Sequence, residues 1–103
     1  MAQIRAAFLF VFPGGDAREH STVVAAPAGL ELTVIGVNDY RQAADVAREL
    51  AEQGVGLIEL CGGFGHIGAA EVAKAVGGKA QVGVVRFDAH PGLGFKSGDE
   101  LFQ

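Results

Sequence analysis

The stretch VGLIELCGGFGHIGAAEVAKAV (55–76) decides the fold. It opens on an apolar run, VGLIEL, and closes on AAEVAKAV, whose Ala69, Val72, Ala73 and Val76 recur at helical spacing. Between them CGGFGHIG (61–68) packs four glycines and the only cysteine of the chain. An apolar run, a glycine loop and a helix in that order form one strand–loop–helix unit of an α/β sheet. The strand is expected over 55–61 and the helix over 67–76, ended by Gly77 and Gly78.

The same alternation extends in both directions. Apolar runs at 4–12, 30–37 and 81–88 supply three more strands, and most of the four read as the continuous runs of strands buried on both faces. Residues 40–53 predict a helix, because Ala43, Val46, Ala47, Leu50 and Ala51 make one apolar stripe. Asp39 and Gln42 have the spacing of a capping box, and Gly54 suits a left-handed helix end. Residues 17–25 are a further helix candidate. The expected fold is a single α/β domain over 1–103, with a mainly parallel four-stranded sheet flanked by helices and a glycine-rich C-terminal tail at 89–103.

At 103 residues and 50% apolar composition the chain buries a modest share of its surface, which favours a homo-oligomer. Phe95, Leu101 and Phe102 in the tail are the side chains expected to pack on a partner subunit. A net charge of −4 disfavours nucleic acid. The apolar start IRAAFLFVFP reaches Pro13 too early to span a bilayer, so no membrane partner is expected. A single cysteine makes no internal disulfide, which suits the cytoplasm.

The glycine loop sits where the carboxyl end of a parallel strand meets a helix start, the edge at which open α/β sheets bind ligands. Unpartnered N–H groups and the helix dipole favour an anion there. The candidate ligand-binding residues are therefore Gly62, Gly63, Gly65, His66, Arg86, Asp88 and His90, and the expected ligand is a small anionic molecule; the competing reading is a tight turn. Residues 63–68 match G-x-G-x-x-G, with Asp88 20 positions after Gly68. A dinucleotide is disfavoured, since the fingerprint strand is the third and only 15 residues follow Asp88. The cofactor is left unassigned.

Glu59 and Arg86 lie at similar depth in their strands and would be costly to bury singly, which predicts either a buried ion pair or a catalytic Glu59. His66, Asp88 and His90, joined by Glu59, offer two imidazoles and two carboxylates for a first-row metal, against a reading as turn and surface residues. Cys61 is either a nucleophile activated by the helix start and His66 or a small core side chain.

IELCGGFGH (58–66) and VGVVRFDAHPG (82–92), together with RAAFLFV (5–11) and TVIGVNDYRQAADVARELAEQGV (33–55), resemble the small prokaryotic family catalogued as domain of unknown function 6506. The resemblance implies a stand-alone cytoplasmic protein and assigns no catalytic residue. The leading functional expectation is binding, with or without conversion, of a small anionic metabolite at the C-terminal edge of the sheet. The alternatives are a metal-assisted enzyme using His66, Asp88, His90 and Glu59, and an assembly protein without a ligand.

Overall fold

The computed structural model describes residues 4–26 and 29–103. Its elements run β1 (Ile4–Val11), β2 (Ser21–Ala26), β3 (Leu30–Val37), α1 (Tyr40–Glu52), β4 (Leu57–Leu60), α2 (His66–Val76) and β5 (Gln81–Val84). Two 3-10 turns follow, Pro91–Leu93 and Gly98–Glu100. The strands form one sheet in the order β2-β3-β1-β4-β5. β3, β1, β4 and β5 are mutually parallel, and β2 lies antiparallel on the outer edge of β3.

The expected α/β fold is therefore present with one strand more than the apolar runs suggested. The addition replaces the helix expected at 17–25. STVVAA holds three β-branched residues in succession, Thr22, Val23 and Val24, which lose rotamer freedom in a helix and pack well on a pleated edge. Every residue of β2 is exposed, and its apolar run VVAA (23–26) is too short to tell a strand from a helix by period alone. The last strand also stops at Val84, short of the expected 88, so Arg86, Asp88 and His90 do not share a strand face.

Helix α1 forms where the apolar stripe predicts. Asp39 accepts a hydrogen bond from the Gln42 N–H at 2.8 Å, while the Gln42 side chain reaches back to the Asn38 N–H at 3.0 Å. Gly54 closes the helix at φ 97°.

α1 joins β3 to β4 and α2 joins β4 to β5, moving the same way across the sheet. Right-handed crossovers in one direction place both helices on one face, where they pack side by side. Under them lies the core: Ala7, Leu9 and Val11 of β1, Val37 of β3 and Ile58 and Leu60 of β4 meet Ala43, Ala47, Leu50, Val72 and Val76 of the helices. The β1-to-β3 connection is made by a strand instead of a helix, so among the described residues no α-helix covers the other face.

Candidate functional site

The loop after β4 does not present an open cradle. Gly62, Phe64 and Gly65 are buried, and the Phe87 ring lies where a side chain on Gly62 would project. Gly65 occupies the N-cap position of α2 and has no side chain to cap it. The missing carboxylate comes from the C-terminal segment: Asp99 Oδ2 accepts from the Ile67 N–H at 3.1 Å and Oδ1 from the Gly68 N–H at 3.2 Å. These are the donors that an N-cap side chain normally satisfies.

Tyr40 completes the arrangement. Its hydroxyl donates to Asp99 Oδ1 at 2.8 Å and accepts from the Gly65 N–H at 2.9 Å. The ring stacks on Phe64 and touches Phe102, which is buried, and the Tyr40 N–H donates to the Phe102 carbonyl at 3.2 Å. Residues 97–103 thus dock on their own chain, and Phe102, expected against a partner subunit, is taken up in cis. Phe95 and Leu101 remain exposed.

The glycines follow from this packing. A Cβ on Gly65 would run into the Asp99 carboxylate, one on Gly68 into the Tyr40 ring, and one on Gly98 into the Gly63 carbonyl. In this chain the spacing that matches a dinucleotide fingerprint admits a tyrosine and an aspartate.

The charges respond accordingly. Burial pushes the Asp99 carboxyl up, but the Ile67 N–H, the Tyr40 hydroxyl, the Gly68 N–H and the charge of Arg86 outweigh it and hold the group below its ordinary value. Burial raises the Tyr40 phenol far above its ordinary value, with Asp99 adding to the rise and the Gly65 N–H and Arg86 opposing it.

Arg86 leans over the loop, donating to the Phe64 carbonyl and to Asp88 Oδ1, each at 2.6 Å, while its Nε is buried without a hydrogen-bond partner. His66 approaches the same Asp88 oxygen at 3.5 Å on an exposed rim. His90 turns away: its Nδ1 accepts from the Gly92 N–H and its ring packs edge-on against Phe87. The expected convergence of His66, Asp88, His90 and Glu59 does not form, and among the described residues no three His, Cys, Asp or Glu side chains gather as a metal cluster.

The expected Glu59–Arg86 pair is corrected as well. Glu59 is exposed on the uncovered face, opposite Phe8 on one side and Gly83 on the other, whereas Arg86 serves the loop and Asp88. Cys61 follows the end of β4, free and half-buried against the core, with Sγ accepting from the Gly63 N–H at 3.3 Å. Two concavities, about 500 Å³ between Arg41, Arg48 and Lys74 and about 240 Å³ beside Tyr40 and Phe102, are lined by no residue of the loop.

The largest unused feature is the uncovered face itself. Ladder register places Ala6, Phe8 and Phe10 of β1 beside Leu32, Val34 and Gly36 of β3, with Val24 of β2 and Leu57 of β4 flanking them. Val24 is 54% exposed, Leu57 39% and Ile4 55%, values that mark an apolar surface in water. The alternating Phe8, Phe10 and Phe12 were the sequence signal for it, hidden because the intervening residues are apolar too.

The sequence model described as Family of unknown function (DUF6506) matches residues 4–100, and the chain belongs to that family. No curated protein and no solved structure matches the chain. Among the described residues no helix is long and apolar enough to cross a membrane.

Proposed function

For this member of the DUF6506 family we propose an interaction module whose working surface is the uncovered sheet face, operating in the cytoplasm, a location supported by the free thiol of Cys61. One observation carries the reading: opposite the helices β2, β3 and β1, with Leu57 of β4, present adjoining apolar side chains, of which Ile4, Val24 and Leu57 are exposed. The glycine-loop edge then serves the fold, because Asp99 and Tyr40 already take up the donors that a ligand would use.

The test is gel filtration of the protein in cell extract. The wild type is expected to elute above monomer size, and Val24→Lys with Leu57→Lys at monomer size with an unchanged circular dichroism spectrum. Elution of the wild type as a monomer removes the reading.

A second reading keeps a small anionic molecule at the sheet edge. It is supported by Arg86, whose Nε is buried without a partner beside His66. Such a ligand must take Asp88's place on Arg86 or Asp99's place on α2.

A further inference from the structure

We infer that the occupant of the uncovered face is a second copy of this chain, packed sheet against sheet about a two-fold axis. This rests on the interaction-surface reading and names its partner.

Area is the first argument. Five strands about 4.8 Å apart and averaging about 20 Å in length present on the order of 500 Å² in projection. Two such faces, corrugated by side chains, reach roughly the 1,000 Å² at which specific interfaces begin. A single helix laid on the sheet covers only part of this width, whereas another sheet matches it at the ~10 Å spacing of packed sheets.

Charge is the second. The chain carries 12 Asp and Glu against 8 Lys and Arg, yet among the described strand positions on this face Glu59 is the sole ionisable side chain, and His20, edge-on against Phe12 at 5.3 Å, adds one imidazole at its rim. Two copies can therefore approach through this face with little of their mutual repulsion, while a strongly charged partner finds no complement on it.

The third is availability. Phe102 and Asp99, which the C-terminal segment could have used elsewhere, are committed to Tyr40 and α2. The face keeps Ile4, Val24 and Leu57 exposed and Phe8, Phe10, Leu32 and Val34 half-buried, with Phe10 and Phe12 stacked at 5.4 Å as an aromatic ridge on it. A two-fold pairing is self-complementary, so one patch serves both partners.

Sedimentation equilibrium of the purified protein at about 100 μM decides the matter. The expected mass is twice 10.6 kDa. Val24→Lys with Leu57→Lys should return the mass to the monomer value with native circular dichroism, and Ala44→Lys on the helical side should leave the dimer intact. Monomeric wild type overturns the proposal, as does a dimer that survives the double substitution or falls apart in Ala44→Lys. If the protein is large in extract and monomeric when pure, self-association fails while the interaction-surface reading stands.

Discussion

Tyr40 Oη and Asp99 Oδ1 are 2.8 Å apart and 59 positions apart in the chain, and this hydrogen bond ties the start of α1 to the C-terminal segment that caps α2. With the Ile67 and Gly68 N–H groups on the same carboxylate, it links both helices to residues 97–103. Asp99→Ala should cost about 1–2 kcal/mol, the usual range for a lost helix cap. Tyr40→Phe leaves the buried Gly65 N–H without an acceptor and should cost about 1–3 kcal/mol. Urea titration of the single and double variants is expected to show less than additive losses, since one network is being broken. Full additivity would mean that the two residues act independently.

Both residues also make stability depend on pH. Asp99 lies below its ordinary value when folded, so the folded state binds fewer protons, and its contribution is present above about pH 4 and lost as pH falls. Tyr40 is raised, so its contribution is present below about pH 10 and lost as pH climbs beyond it. Melting temperature should fall at both extremes. Asp99→Asn should flatten the acid limb and Tyr40→Phe the alkaline one.

Glycine roles separate by what a methyl group would meet. Gly98→Ala sets a Cβ against the Gly63 carbonyl and should destabilise by about 2 kcal/mol or more, because backbone has nowhere to retreat. Gly56→Ala meets nothing within 4 Å and should be close to neutral. Denaturant midpoints of the two variants check this; equal values would mean that the C-terminal segment does not pack as described.

Anion binding at the sheet edge is testable by thermal shift. If Asp99 satisfies the start of α2, phosphate and dicarboxylates should leave the wild-type melting temperature unmoved. A ligand at about a hundred times its dissociation constant would add about 2.7 kcal/mol and be plain to see. A shift that is lost in Arg86→Gln would favour the second reading.

The parallel core was legible because its strands and helices each carry a strong local signature: 55–76 reads as strand, loop and helix, and the stripe from Ala43 to Ala51 allows one helical face. β2 was not, since an exposed edge strand buries nothing and lacks a hydrophobic period. The loop was located correctly as the start of α2, but its partner was invisible: Asp99 lies 32 positions from Ile67, and only tertiary folding brings them together. Glu59 and Arg86 were paired on strand depth alone, which says nothing about the side of the sheet each one occupies. The bareness of one face is likewise a property of strand order, fixed by a strand standing where a crossover helix usually lies.

The most direct test of the uncovered face as the working surface is carbene footprinting of Phe8, Val24 and Leu57 in the purified protein, with the Val24→Lys, Leu57→Lys variant as reference for Phe8. The account predicts that Phe8 is strongly protected in the wild type, that Val24 and Leu57 label far less than their 54% and 39% exposure in the isolated chain would give, and that Phe8 becomes reactive in the variant. Labelling of all three in the wild type at the level of an isolated chain, unchanged at Phe8 in the variant and equally strong in cell extract, would contradict it.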